Sequence, residues 1–180
     1  KQRGKHAAEC SVPISPEEKY RSLFDHAGEG IYQSSVSGRI LNINPALATL
    51  FGYRSPEEMK RNIKNAYRQI YADRKQRERV LREVETRGHA QYEFRFLRRD
   101  KSQGWGFTSM HAVRNAQGET AYYEGFFVDI TERKRMEEKL REAHDLLEKR
   151  VVERTRKIAR LNRDLATDIA KRKKVEKELK

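Results

Sequence analysis

The last fifty residues of the chain, residues 131–180, contain neither glycine nor proline. Because these two residue types are the strongest helix breakers, the stretch predicts one continuous helix, about 75 Å long at the usual rise per residue. Apolar residues recur along it in steps of three and four, which is the spacing of a coiled-coil seam. The predicted seam, and with it the predicted dimer interface, consists of Met136, Leu140, Leu147, Val151, Ile158, Leu161 and Leu165.

The heptad pattern of this helix is interrupted once. Leu147 and Ile158 are eleven residues apart, whereas uninterrupted heptads would separate them by seven or fourteen. The spacing predicts a four-residue stutter near Val151, where the supercoil relaxes locally. An internal repeat agrees with this register, because residues 129–140 match residues 168–179 at an offset of 39, which is five heptads plus four. The stutter is therefore a candidate two-state element of the helix.

Positive charge is concentrated on the same helix. Residues 132–180 hold 18 Lys and Arg against 11 Asp and Glu, which supplies +7 of the formal +13. A basic excess can attract nucleic acid or an anionic membrane. Here acids alternate with bases at i,i+4 spacing, which favours a solvated helix with no nucleic acid and no direct membrane contact. A nucleic-acid-binding dimer that uses residues 171–174 is the alternative, and a steep salt dependence of DNA binding would distinguish it.

The chain's single cysteine, Cys10, lies in residues 1–16, a polar stretch that is predicted to be an N-terminal linker. One cysteine provides no disulfide framework and argues against a cysteine-based zinc site, so no metal site is predicted. No apolar run reaches the length of a membrane span, and the first ten residues lack the apolar core of a signal peptide. These features predict a cytoplasmic location, although the parent protein could be anchored in a membrane elsewhere.

Residues 17–131 have the pattern of one α+β domain. Three helix openings are marked by a capping residue followed by proline. They are Ser15-Pro16, Asn44-Pro45 and Ser55-Pro56. An amphipathic helix is predicted over residues 73–87, ending at Gly88. Strand patterns surround these helices: a hairpin at 30–43, then strands near 92–96, 105–113 and 121–130.

The motifs in this region resemble a known family. Residues 17–135 are similar to a PAS domain with its C-terminal extension, because a series of short motifs occurs in the family's order. These motifs are Tyr20-Arg-Ser-Leu-Phe24, Gly30-Ile31, Gly38-Arg-Ile-Leu-Asn-Ile-Asn-Pro-Ala46, Leu50-Phe-Gly-Tyr53, Ser55-Pro-Glu-Glu58, Arg98-Arg-Asp100, Tyr122-Tyr-Glu-Gly125 and Asp129-Ile-Thr-Glu-Arg-Lys134. The resemblance implies the PAS fold, a five-stranded antiparallel sheet with flanking helices, here followed by a long α-helical coiled coil. It divides the chain into a PAS sensor domain, 17–131, and a coiled-coil signalling helix, 132–180.

The resemblance also extends to the helix and implies a function. Residues 152–165 are similar to the linker that follows PAS domains in bacterial histidine kinases and diguanylate cyclases. A sensory module is thus expected, which forms a parallel homodimer through its helix and passes a ligand or interface signal to an output domain after Lys180. The chain departs from the family at Lys101, where the turn after Asp100 usually has glycine, so a slightly different hairpin is expected there.

In this family a small pocket lies between the helices and the sheet. The apolar residues expected to line it are Leu47, Phe51, Ile63, Ile70, Tyr71, Leu81, Phe94, Phe96, Met110 and Phe127. The same residues could instead form a filled core. The cofactor is unknown, and a small-molecule ligand is one option. Flavin and haem are not expected, because residues 55–90 contain no cysteine for a flavin adduct and residues 73–87 contain no histidine for a haem. His89 and His111 are the remaining candidates for a haem ligand.

The resemblance assigns a signal-transfer role to Asp129 and Thr131, which join the last strand to the output helix; ordinary helix capping would explain them equally well. His144 is followed by an acid, as phosphoacceptor histidines often are, so a partial histidine kinase is a further alternative. The residues that normally follow such a histidine are missing. The chain also has no paired catalytic carboxylates, phosphate-binding glycine loop or nucleophile elbow, so no catalytic residues and no enzymatic activity are predicted.

Overall fold

A computed structural model describes residues 15–178, without the side chains of residues 74, 172 and 174–178. The predicted linker, except its last two residues, lies outside the described residues, as do Cys10 and residues 179–180. The chain forms two compact units, one ending at Thr131 and one beginning at Glu132. Each unit is described by itself below.

The first unit contains five helices and five strands among its described residues. In chain order they are α1 (Pro16–His26), β1 (Gly30–Ser35), β2 (Ile40–Ile43), α2 (Pro45–Leu50), α3 (Pro56–Asn62), α4 (Ala66–Gln69), α5 (Arg74–Arg87), β3 (His89–Leu97), β4 (Gln103–Arg114) and β5 (Thr120–Asp129). The strands form one antiparallel sheet in the order β2-β1-β5-β4-β3. The predicted sheet with flanking helices, followed by a long C-terminal helix, is confirmed.

Local chemistry explains where most helices begin and end. Ser15 and Glu18 form a complete capping box at α1, and Asn44 caps α2. Gly88 ends α5 in the left-handed conformation that favours glycine. The repeated motif at α3 behaves differently, because the Glu58 carboxylate accepts a hydrogen bond from the backbone of Arg54 and not from its capping serine.

Helix α4 was not among the sequence predictions. It is a four-residue helix capped by Asn65, too short to produce an apolar period. The hairpin between β3 and β4 contains the departure from the family pattern, and here Lys101 adopts a φ of 66°. The lysine thus takes the left-handed conformation that a glycine would adopt more readily.

The core lies between the helices and the sheet, in two adjoining clusters. The larger one combines Leu47 of α2 and Phe51, which follows α2, with Phe94, Phe96 and Phe127 of the sheet. The smaller one packs α5 against the strands through Val80, Val84, Ala90, Met110 and Tyr123. Both clusters follow from the alternation of side chains along strands, which sends every second residue to the helix-covered face.

The second unit consists of α6, which spans Thr131–Glu178 as one helix of 48 residues. Its large apolar side chains are exposed, including all seven residues of the predicted seam. Among residues 15–178, no helix has both the length and the apolar character needed to cross a membrane.

Candidate functional site: a cavity with a buried arginine

A cavity of about 60 Å³ lies inside the first unit, between the helices and the sheet. Seven of the ten residues predicted to line a pocket do line this cavity. They are Leu47, Phe51, Ile70, Tyr71, Phe94, Met110 and Phe127. The cavity therefore occupies the place where the sequence analysis expected either a pocket or a filled core.

The other three predicted lining residues lie elsewhere. Ile63 and Phe96 are buried in the larger core cluster, where their side chains pack against neighbouring residues. Leu81 packs partly buried against the smaller cluster. These residues were assigned from apolar character alone, which places a residue in the core but does not say whether it borders a void.

The main residue that sequence reasoning missed is Arg77. It lies on α5, lines the cavity and is only 3% exposed. Its position carried a signal, because Arg77 precedes Val80 by three residues and Val84 by seven, on the buried stripe of an amphipathic helix. A charged residue on such a stripe is rarely buried without a reason.

The guanidinium of Arg77 is surrounded by aromatic rings. Its central carbon lies 4.1 Å from the ring centroid of Tyr67 and 5.3 Å from that of Tyr71. Nη1 donates to the hydroxyl of Tyr92 at 3.1 Å and contacts the sulfur of Met110 at 3.2 Å. Nε is buried and has no hydrogen-bond partner among the described residues. One donor of a buried cation is thus left unsatisfied.

Electrostatics keep this arginine charged. Burial by itself lowers the pKa of Arg77, but the oxygens of the surrounding tyrosines outweigh that effect and raise it overall. Burial raises the pKa of Tyr32 and of Tyr92 well above the ordinary value, so both hydroxyls stay protonated near neutral pH. Within the described part of the chain, Arg77 is the only formally charged residue that lines the cavity.

Residues with a hydroxyl group, together with Gln33, make up the rest of the polar wall. The Tyr32 hydroxyl lies 3.0 Å from Oγ1 of Thr108, which donates to the carbonyl of Phe126 at 2.7 Å. The hydroxyls of Tyr71 and Tyr92 lie 2.6 Å apart. The cavity thus combines an apolar wall with one cation and a few hydroxyls, which is the usual make-up of a small-molecule site.

A second polar cluster lies where β5 meets α6. Nη2 of Arg98 donates to Oδ2 of Asp129 at 2.6 Å, and the backbone N–H and hydroxyl of Thr131 donate to Oδ1 at 2.9 and 2.5 Å. The backbone N–H of Trp105 in β4 donates to the Thr131 hydroxyl oxygen at 2.9 Å. Asp129 and Thr131, the two residues predicted to transfer a signal, are therefore hydrogen-bonded to each other. Asp129 also binds Arg98 just after β3, and Thr131 binds the backbone near the start of β4.

Replacing Asp129 by asparagine is expected to lower the free energy of unfolding near pH 7 by about 1–3 kcal/mol, because hydrogen bonds to a charged acceptor are lost. Burial raises the pKa of Asp129, but the hydrogen bonds from Thr131 and Arg98 outweigh it, and that pKa lies below its usual value. A carboxyl with a lowered folded-state pKa stabilises the protein above its unfolded pKa of about 3.9, and this stabilisation disappears as the pH falls through the folded value.

Urea unfolding of the wild-type chain and Asp129→Asn, in steps from about pH 7 to about pH 3, measures this effect. The difference between the two proteins should shrink as the pH falls. Asp25→Asn, a change at an exposed residue of α1, is the control and should differ little from wild type throughout. A difference that stays constant down to the lowest pH would contradict the assignment.

His89, His111 and His144 are the histidines for which the sequence suggested a haem-ligand or phosphoacceptor role. His89 and His111 are exposed neighbours on β3 and β4, with ring centroids 5.9 Å apart. His144 is exposed on α6, where its Nδ1 lies 4.0 Å from the carboxylate of Asp145. None of the three is among the residues that line the cavity.

Comparison with known proteins identifies one matching family and many solved structures of similar fold. A family model described as a PAS domain matches residues 28–132. No curated protein matches the chain. A PAS domain from Colwellia psychrerythraea is similar in structure, with 22% identity and a TM-score of 0.57 over 66% of this chain and 99% of that one.

Two further solved structures have the same fold. A sensory box histidine kinase/response regulator from Burkholderia thailandensis has 23% identity and a TM-score of 0.57, over 73% of this chain and 99% of that one. An RNA-binding light-oxygen-voltage receptor has 22% identity and a TM-score of 0.58, over 79% of this chain but only 41% of its own. At these identities the structural likeness establishes the fold alone.

Proposed function

The chain belongs to the PAS domain family, and from that premise we propose that it is the sensory and dimerisation module of a bacterial histidine kinase or diguanylate cyclase. In this proposal the PAS sensory domain responds to a ligand in its cavity or to an interface. A parallel pair of α6 helices passes the response to an output domain after Lys180. The module itself is non-catalytic and acts in the cytoplasm.

The observation that carries the proposal is the exposed apolar stripe of α6. Leu140 is 72% exposed and Leu161 is 51% exposed, and the other seam residues are also exposed to solvent. A helix of this length with a regular a/d stripe is stable in water when a partner helix covers the stripe. A second copy of the same chain supplies a matching stripe with the same stutter. In a parallel pair both helices begin at their own sensory domain, so both output domains lie at the same end.

The junction at the start of α6 supports the relay. Asp129 and Thr131 connect the end of β5, the start of β4 and Arg98 after β3 through short hydrogen bonds. Phe127, two residues before Asp129 on the same strand, lines the cavity. A change in the cavity that moves β5 therefore acts directly on the hydrogen bonds at the first residue of the helix.

Single-cysteine crosslinking tests the parallel dimer. In a Cys10→Ser background, Leu140→Cys and Leu161→Cys should each form disulfide-linked dimers under mild oxidation, because equivalent seam residues face each other in a parallel pair. Glu142→Cys and Ala159→Cys, on the outer side of the helix, are matched controls that should crosslink poorly. Native mass spectrometry of the uncrosslinked chain gives the dimer mass independently.

The crosslinking pattern also separates the alternatives. If neither seam variant forms a dimer by itself, the parallel dimer is wrong. If a disulfide forms only when Leu140→Cys and Leu161→Cys are mixed, the helices are antiparallel. Equal crosslinking of seam and outer variants would indicate random collision and no defined interface.

A further inference from the structure

The cavity holds a positive charge that the described part of the protein does not neutralise. Arg77 forms no ion pair with a described carboxylate, and its contacts are aromatic rings, a tyrosine hydroxyl and a methionine sulfur. A buried cation is normally paired with an acid, because leaving it unpaired carries a large desolvation penalty. Because Arg77 lines the cavity, an anion bound there would neutralise this charge.

We propose that the cavity binds a short-chain monocarboxylate, with Arg77 holding the carboxylate and the apolar wall holding the alkyl end. This inference rests on the proposed sensory function and names the chemical class of its ligand. A guanidinium matches a carboxylate through two parallel N–H donors. The lining residues Leu47, Phe94 and Phe127 provide the apolar surface for the other end.

The residues that line the cavity disfavour other classes of ligand. Phosphate and sulfate need several donors or more than one cation, whereas Arg77 is the only charged residue that lines the cavity within residues 15–178. An acidic wall would be required for a cationic ligand, and no described lining residue is acidic. A neutral ligand would leave the guanidinium charge unpaired.

The size of the cavity limits the alkyl chain. An apolar protein cavity of about 150 Å³ accommodates benzene. A cavity of about 60 Å³ therefore suits a ligand of only a few heavy atoms. Formate, acetate and propionate fall in this range, and longer chains require the wall to move.

Ligand-observed NMR and isothermal titration calorimetry on the purified chain test the proposal. Sodium formate, acetate, propionate, pentanoate and chloride, and the neutral isostere acetamide, are titrated at constant ionic strength. At least one of the three short carboxylates should bind at least tenfold more tightly than acetamide and chloride, and pentanoate should bind more weakly than the best of them. Equal affinity for acetamide, or for chloride, would overturn the assignment without any variant.

Variants locate the binding group. Arg77→Met keeps much of the side-chain volume without the charge, and it should reduce carboxylate affinity at least tenfold. Arg79→Met, the same change at an exposed residue of the same helix, is the matched control and should bind as wild type. Arg77→Lys keeps the charge but lacks the planar fork, so it should bind more weakly than wild type. Circular dichroism establishes that each variant is folded.

The outcomes also distinguish this inference from the proposed function. A chain that crosslinks as a parallel dimer but binds no short carboxylate would overturn the ligand assignment alone. A chain that binds acetate through Arg77 but stays monomeric would overturn the relay through α6 and leave the ligand assignment standing. Loss of binding in Arg79→Met as large as in Arg77→Met would contradict the role of Arg77.

Discussion

Phe127→Ala is expected to lower the free energy of unfolding of the sensory domain by about 3–5 kcal/mol, the range for removing a buried aromatic ring. Phe127 is 3% exposed. Its ring packs against Phe51 and Phe96 at centroid distances of 5.1 and 5.0 Å, and edge-on against Phe94 at 5.9 Å. The neighbours come from a helix and a strand that cannot both move inward, so the change enlarges the existing cavity.

The adjacent residue provides the control for this prediction. Phe126 is on the same strand but points to the opposite face of the sheet, where it is 38% exposed. Phe126→Ala should destabilise the domain by about 1 kcal/mol or less. Urea unfolding followed by the fluorescence of Trp105, the chain's single tryptophan, measures both variants. Equal destabilisation by the two changes would contradict the assignment of faces on β5.

Elements with their own local signals could be predicted from the sequence. Helix α5 starts after Asp73 and ends at Gly88, as the spacing of its apolar residues and its terminal glycine indicated. The strands β3, β4 and β5 were visible in the alternation of aromatic and polar residues. Helix α4 was missed because its only signal is the cap at Asn65, and a single turn has no period to detect.

A repeated motif did not repeat its contacts, and this shows where local chemistry stops being decisive. Glu18 completes a capping box with Ser15. Glu58 stands at the same place in an identical motif, yet its two oxygens bind the backbone of Arg54 and the side chain of Arg99. One of these partners, Arg99, is more than forty positions away in the sequence, so no local pattern encodes the contact.

The cavity was predictable in place but not in chemistry. Its apolar wall follows from the alternation of residues on strands and helices, so seven lining residues could be found. The position of Arg77 on the buried stripe was also readable. Its surroundings were not, because Tyr67, Tyr71 and Tyr92 reach the guanidinium from different elements of the chain. Only the tertiary structure shows that a buried cation has tyrosines around it and no acid.

Leu161→Asp is expected to convert the proposed parallel dimer to a monomer at micromolar concentration. Full burial of a leucine contributes about 2 kcal/mol, and a dimer buries two copies of Leu161. The loss of about 4 kcal/mol corresponds to a Kd about a thousandfold higher. Two aspartates facing each other in the seam add charge repulsion and desolvation to this loss.

Sedimentation equilibrium measures the oligomeric state of three proteins: the wild-type chain, Leu161→Asp and the charge-matched control Ala159→Asp. Ala159 lies two residues before Leu161, about 200° around the helix, so the same new charge faces water and the control should remain dimeric. Dissociation of both variants would show that net charge, and not the seam, controls association. A Leu161→Asp chain that stays dimeric would show that the dimer is held elsewhere, and α6 would then not be the element that joins two sensory domains to their outputs.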